Sequence, residues 1–335
     1  MIDKLLHTVQ QWWRLLLMAA IVPAAIFFIL KPWNIPKLLS RSRPAENHDE
    51  ALRRAEALKS AQTKEMNPLC LLQVMTHRKK TDRAVILVHG YTSCPRQFYE
   101  LGRRFYDLGD NVLIAPLPHH GLADRLTDDQ GQLKAEELAA YADEVVDIAC
   151  GLGDRVVMMG ISAGGVTTAW AAQNRRDIDL AVIVSPAFGF GQIPVPLTAA
   201  AMNIYAMLPD SYSWWNAELQ ENLHPDYTYP RYSMHALTEI LRLGFVVQEE
   251  AMHASPAAEK IVMVFNANDT SINNDRTREI LDIWNTGHIT IETFEFQASL
   301  KLGHDLIDPN QPDQNIALVY PEMIRLCELP RQGEP

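Results

Sequence analysis

Cysteine is scarce. A chain of 335 residues carries four, Cys70, Cys94, Cys150 and Cys327, scattered and with no CxxC pair. That spacing gives neither a disulfide framework nor a cysteine metal site, and it says little about compartment. No segment repeats with the period of a solenoid. Basic residues are outnumbered, 30 Lys+Arg against 41 Asp+Glu, for a formal net charge of −11. A body this acidic repels phosphate backbones, which argues against nucleic acid as a partner. Hydrophobic residues at 47% and charged residues at 21% are globular values and exclude disorder, collagen and coiled coil as whole-chain readings. The length suits one large α/β domain with additions.

One uncharged run stands apart. Residues 15–30, LLLMAAIVPAAIFFIL, lie between Arg14 and Lys31, with Trp12, Trp13 and Trp33 at the edges. Indole rings suit the two interfaces of a bilayer. Sixteen helical residues rise about 24 Å, and snorkelling by Arg14 and Lys31 extends that reach toward a hydrocarbon core of roughly 30 Å. A buried soluble helix would show a polar face, and a cleaved signal peptide would need a small-x-small site, which FFILKPWNIP does not offer. The run is therefore expected to be an uncleaved, single-pass membrane anchor, a helix over about 12–33 within residues 1–43. Lys4 and Arg14 precede it, whereas Lys31, Lys37, Arg41 and Arg43 follow, so the charge count leans toward a cytoplasmic C-terminal side. Residues 44–67, charged and Ala-rich, read as a solvated, partly helical linker. A chain beginning near residue 68 is expected to be soluble and still active.

Beyond residue 68, short apolar runs alternate with amphipathic stretches. Residues 69–75, 84–90, 111–118, 155–160, 180–185, 260–266 and 289–296 read as strands. Residues 136–149, 163–173, 277–284 and 317–326 read as helices, with another after 95. Strands that are continuously apolar are buried on both faces, which predicts a mostly parallel sheet with helices on each side. Ligands then bind at the carboxyl ends of the strands. Residues 187–255 are too long for a simple crossover and rich in Tyr, Trp and Phe, so they read as a cap inserted over a pocket.

The strand 155–160 runs into Gly160-Ile161-Ser162-Ala163-Gly164, with a helix following. G-x-S-x-G in this context sets a serine on a tight turn that flanking glycines permit, with its hydroxyl projecting from the sheet. A serine nucleophile needs a base, and the base an orienting acid. Asp269 follows the strand 260–266 and His304 follows 289–296, so both should reach the same sheet edge. The backbone N–H groups of Ala163 and of Tyr91, after His89-Gly90, are the candidate oxyanion donors. Ser93 and Ser185 lack the elbow glycines. His89 reads as a brace for the oxyanion loop. His119 and His120, near Asp124, read as a loop beside the pocket in preference to a metal site. Asp275 is the alternative acid, and Asp305 is too close to His304 in sequence to pair with it.

Taken together, HGYTS (89–93), PLPHHG (116–121), GISAGG (160–165), NANDTSIN (266–273) and LGHDLI (302–307) resemble the α/β-hydrolase superfamily, in its esterase, monoacylglycerol-lipase and serine-aminopeptidase-like branch. The resemblance covers about residues 68–330. It implies an α/β-hydrolase fold, the triad Ser162, Asp269 and His304, and no cofactor or metal. Serine at the elbow sets the chain apart from dehalogenases, which use aspartate there, and from dienelactone hydrolases, which use cysteine. The expected activity is hydrolysis of a carboxylic ester, with a small ester or lipid-like substrate. An acyltransferase or peptidase would use the same triad, and a non-catalytic membrane-tethered scaffold would be signalled by a broken one.

Overall fold

Strand β2 (Thr81–Val88) shows why the apolar runs are unbroken. Ala84, Ile86 and Val88 enter one core, while Val85 and Leu87 enter another on the opposite face. The same alternation holds in β4 (Gly153–Ile161), β5 (Leu180–Val184) and β8 (Lys260–Asn266). A strand covered on both faces has no polar side to show. In this computed structural model, which describes residues 12–13, 21, 23–24, 26–62, 64–216, 225–287 and 289–329, a seven-stranded sheet has the order β1-β3-β2-β4-β5-β8-β9. Here β1 is Gln73–Met75, β3 is Asn111–Ile114 and β9 is Thr290–Phe296. Every neighbouring pair is parallel except β1–β3.

Helices cover both faces. In chain order they are α1 (His48–Ser60), α2 (Tyr99–Asp107), α3 (Ala135–Leu152), α4 (Ala163–Asn174), α5 (Thr198–Met207), α6 (Met234–Ala251), α7 (Asn274–Trp284) and α8 (Ile316–Leu326). Residues of α3, α4, α6 and α7 fill one core and those of α2 and α8 the other. Helix α4 is buried all round from Ala163 to Gln173, which matches its lack of any charged residue. The segment 69–75 differs from a single strand: Asn67 caps a one-turn helix, Pro68–Cys70, and only Gln73–Met75 pairs. Pro116 follows closely on the end of β3 at Ile114.

The segment read as a cap, about 187–255, comprises two structures. Residues 188–216 and 225–233 leave the sheet edge and form α5 and an antiparallel pair, β6 (Tyr212–Trp214) with β7 (Arg231–Ser233). Helix α6 then returns to the body, with Ile240, Leu243, Val246 and Val247 in the main core. It is the crossover helix between β5 and β8.

The solvated-linker reading of 44–67 needs correction. Helix α1 buries Ala51 and Ala55 against α3. A Cβ on Gly151 would lie 2.6 Å from the Asn47 carbonyl and 2.8 Å from the Ala51 Cβ, so the two helices meet at small residues. Ahead of α1, the Arg41 amide donates to Asp143 (2.6 Å) and the Arg43 amide to both Asp147 oxygens (2.9 Å each). Those carboxylates also accept from Arg175, which is 1% exposed and further paired with Asp177. The charged composition misled because Arg53, Glu56 and Lys59 of α1 face water while Ala51 and Ala55 face inward. In the apolar run, residues 15–20, 22 and 25 lie outside the described residues. Among the described residues no helix is long and apolar enough to cross a membrane.

Residues 38–60 therefore belong to the body. Arg175→Met should lower stability by about 3–5 kcal/mol, because two nearly buried carboxylates lose their cation, and urea unfolding measures it. Removing residues 1–67 should give a much less stable or aggregating product, whereas removing 1–30 should not. Equal urea midpoints for the two truncated chains would show the α1 contact to be dispensable.

Candidate active site

The parallel register aligns the strand ends. Val88 is level with Gly160, Ile161 with Val184, Val184 with Val264 and Asn266 with Phe296. The loops that follow β2, β4, β5, β8 and β9 therefore leave one edge of the sheet, and they carry His89–Ser93, Ser162, Ser185, Asp269 and His304.

Ser162 has φ 57° and ψ −116°, a conformation costly for a residue with a Cβ. What enforces it is close approach. A Cβ on Gly160 would fall 2.2 Å from the Gly164 carbonyl oxygen, and one on Gly164 would fall 2.2 Å from the Val88 carbonyl oxygen. Only glycines let α4 start this close to β2 and β4. The Ser162 amide bonds to Val184 O, and its carbonyl accepts from Val166 and Ala187, so the turn is tied on both sides.

Asp269 and His304 meet. The Nδ1–H of His304 donates to Asp269 Oδ2 at 2.6 Å, and Asp269 Oδ1 accepts from the amides of Ser271 (2.9 Å) and Ile272 (3.4 Å). Burial alone would raise the Asp269 pKa, but the bond and charge of His304 and the two amides outweigh it and hold the carboxyl below its usual value. Burial likewise disfavours the charged imidazole, yet Asp269, with help from Asp305, raises His304 above its ordinary value. With Nδ1 committed as donor, Nε2 is the nitrogen open to a serine. The alternative acid, Asp275, sits exposed in the first turn of α7, paired with Arg278.

The Ala163 N–H opens helix α4, where the first amides have no intrahelical acceptor. Neither it nor the Tyr91 N–H donates to an acceptor among the described residues. The neighbours of Tyr91 are tied instead. Gly90 N–H donates to Gln97 Oε1 (2.8 Å) and Thr92 N–H to His120 Nε2 (3.2 Å). The Tyr91 hydroxyl donates to Gln130 and accepts from Ser233 N–H at the root of α6. His89 donates from Nδ1 to Gly90 O and accepts Leu117 N–H at Nε2, while His120 donates from Nδ1 to Pro118 O. Burial drives both rings down, to about 3 for His89 and about 4 for His120, so both stay neutral in those tautomers. They act as braces. His119 pairs with Asp129 and Glu137. Among the described residues no cluster of His, Cys, Asp or Glu is arranged to hold a metal. Ser185, buried and at φ 39°, follows β5 without elbow glycines.

Several residues at this edge escaped the sequence reading. Asn266 donates to the carbonyls of Leu302 and Gly303, and Asn268 to Leu302, clamping the loop that delivers His304. A strand that ends in Asn-x-Asn was the available signal. Cys70 and Cys94 form a disulfide with Cα atoms 5.3 Å apart, where scattered cysteines had suggested none. It ties the loop that follows β2 to the one-turn helix Pro68–Cys70. From the cap, Trp215 Nε1–H donates to Thr92 Oγ1 (2.9 Å) and Tyr229 N–H to Thr92 O (2.7 Å). Trp215 packs on Tyr232 with half its surface exposed.

A parallel sheet, a serine elbow on its fourth strand and an Asp–His pair at the same edge define an α/β-hydrolase arrangement. The chain belongs to the alpha/beta hydrolase family, whose profile matches residues 85–312. A search of curated protein sequences finds no match. Among solved structures it is similar to a metagenome-derived lipolytic enzyme from work on LipS and LipT, at 17% identity and a TM-score of 0.59, covering 78% of this chain and 99% of the other. It is also similar to the monoacylglycerol lipase of Paleococcus ferrophilus (16%, TM-score 0.54, 76% and 98% covered). A third is a soluble variant of monoglyceride lipase from Saccharomyces cerevisiae (12%, TM-score 0.54, 77% and 91% covered). At these identities the likeness is one of fold.

The raised His304 pKa has a sign that can be tested. Activity that needs the neutral ring should rise with pH through an apparent pKa above the ordinary 6.5. Asp269→Asn should move that limb downward, since the charge holding the proton is gone, and should lower kcat far more than it changes KM. A pH profile of kcat/KM for both proteins checks this. An unchanged limb in Asp269→Asn, or a larger effect from Asp275→Asn, would reassign the acid.

Proposed function

We propose that the protein is a serine hydrolase that cleaves carboxylic esters through a covalent acyl-enzyme. The observation that carries this reading is the His304–Asp269 hydrogen bond at the sheet edge where the Ser162 elbow emerges. In the proposed reaction the Ser162 hydroxyl attacks the ester carbonyl as His304 Nε2 takes its proton. Asp269 holds the tautomer and stabilises the imidazolium. The N–H groups of Tyr91 and Ala163 stabilise the tetrahedral oxyanion. The alcohol leaves with the proton from Nε2. Water, deprotonated by the same nitrogen, then adds to the acyl-enzyme, and Ser162 is released with the acid product.

An apolar acyl group fits best. Residues 187–208, which lead from β5 through α5, carry no charged side chain, and Ile204 and Met207 of that helix and Leu208 at its end are exposed. We also propose that the run 15–30 tethers the enzyme to a membrane. Asn203 of α5 donates to the carbonyls of Ile29 and Lys31 (2.8 and 2.7 Å), so the end of that run is bound to the cap. The Cys70–Cys94 disulfide favours an oxidising compartment for the catalytic body, against the cytoplasmic lean of the charge count.

Ser162→Ala should reduce kcat on p-nitrophenyl butyrate by on the order of 10⁵–10⁶-fold, as removal of a triad nucleophile does. A fluorophosphonate should label Ser162 in the wild type. Substantial turnover by the variant, or a label elsewhere, defeats the reading. Carbonate extraction of membranes should leave the full-length protein in the pellet, and recovery in the supernatant contradicts the tether. Unfolded without reductant, the protein should expose two thiols to maleimide, Cys150 and Cys327, and four after reduction.

A further inference from the structure

The turn that follows the oxyanion loop carries a buried amide side chain that no step of the proposed reaction uses. Gln97 lies in the one-turn helix Pro95–Phe98 and is 2% exposed. Its Oε1 accepts the Gly90 N–H at 2.8 Å, and its Nε2 donates to Asp305 Oδ1 at 2.5 Å. The orientation of the amide follows from its partners, because a backbone N–H only donates and a carboxylate only accepts. The other Asp305 oxygen accepts from Gln311 Nε2 at 3.1 Å. A Cβ built on Gly90 would stand 3.5 Å from the Ser162 Cβ and 3.8 Å from Gln97 Nε2. The carboxamide thus spans the space behind the nucleophile, from the peptide preceding Tyr91 to the residue following His304.

We propose that Gln97 is a positioning residue for ester hydrolysis, a strut whose carboxamide joins the oxyanion loop at Gly90 to Asp305 and so sets the Tyr91 N–H and the His304 ring relative to each other. The inference rests on the serine-hydrolase reading of the same site. Tyr91 N–H is the one amide of residues 90–92 without an acceptor among the described residues, since Gly90 and Thr92 are bonded on either side. A donor left free in this way is aimed by its neighbours, and a displacement of about 1 Å at a reacting centre can cost on the order of 100-fold in rate. The strut has a firm base. Gln97 N–H bonds to the carbonyl of Cys94, which the disulfide to Cys70 holds.

The far end is also constrained. Asp305 is faced by His304, Gln97 and Gln311 and by Asp308, whose two oxygens share the Tyr227 hydroxyl hydrogen and whose Oδ1 also accepts from the Asn310 amide and side chain. Burial, and after it the Asp308 charge, pushes the Asp305 carboxyl up to about 7, with His304 and the two glutamines opposing. A carboxylate this costly to ionise is held by the amide hydrogens it accepts, which explains a glutamine here in preference to an apolar residue.

Two variants of the full-length, detergent-solubilised enzyme test the strut on p-nitrophenyl butyrate. Gln97→Met keeps the length and removes both bonds. It should lower kcat by on the order of 10–100-fold with KM within about twofold, because an ill-aimed donor is felt in the transition state. Gln97→Glu keeps the acceptor for Gly90 N–H but sets a carboxylate against Asp305, a contact that forms only with a shared proton. Its kcat relative to wild type should therefore climb as pH falls from about 9 to about 6, a dependence that loss of packing would not produce. Wild-type kcat in either variant that folds, or a Gln97→Glu ratio flat with pH, overturns the inference. Gln97→Glu carries the test alone if Gln97→Met does not fold. Fluorophosphonate labelling of wild-type Ser162 separates the cases: without it the hydrolase reading fails, and with it a null result counts against the strut alone.

Discussion

The site depends on how closely helix α4 approaches the two strands beneath it. Gly160 and Gly164 leave no room for a Cβ, and that contact draws the helix N-terminus down to β2 and turns Ser162 out of the sheet. A side chain at either glycine would push back the helix and with it the Ala163 N–H. The strain at Ser162 is sustained because its amide and carbonyl are bonded to β5 and its flank. The fully buried, charge-free α4 then acts as a wedge whose position is set by packing on every side.

Two buried polar networks serve different ends. Arg175 gathers three carboxylates and, through them, the backbone of residues 41–43, joining the N-terminal segment to α3. Its groups are oppositely charged and mutually satisfied, so removing Arg175 leaves the nearly buried Asp143 and Asp147 without the cation they share. Near the active site the balance is reversed. Asp305 and Asp308 are like charges, neither has a cation hydrogen-bonded to it among the described residues, and neutral amides and a phenol hold them. A lysine or arginine there would lie beside His304 and lower its basicity.

Much of this was legible in the sequence because a doubly covered parallel sheet writes its strands as unbroken apolar runs. Once β4, β8 and β9 are located, Ser162, Asp269 and His304 fall at one edge by counting. The residues that hold the loops were not legible. Gln97, Asn266 and His120 act through backbone groups 7 to 37 residues away, and no periodicity marks such pairings. Helix α1 was misread because alanine is neutral in any polarity count, yet Ala51, facing Gly151, and Ala55 are both buried. Likewise, the pairing of Cys70 with Cys94 is set by where two loops meet in space. The apolar run 15–30 posed the opposite case, since its composition is plain in the sequence while half of it lies outside the described residues.

The docking of residues 38–60 also has an order in time. Synthesis runs from the N-terminus, so α1 and the backbone at 41–43 leave the ribosome before the groups they dock on. Their partners, Asp143 and Asp147, come more than a hundred residues later, and Arg175 later still. Until then the alanine stripe of α1 has nothing to cover it, and a single helix of 13 residues is marginal in water. The segment therefore stays without its partners until α3 and Arg175 have been made.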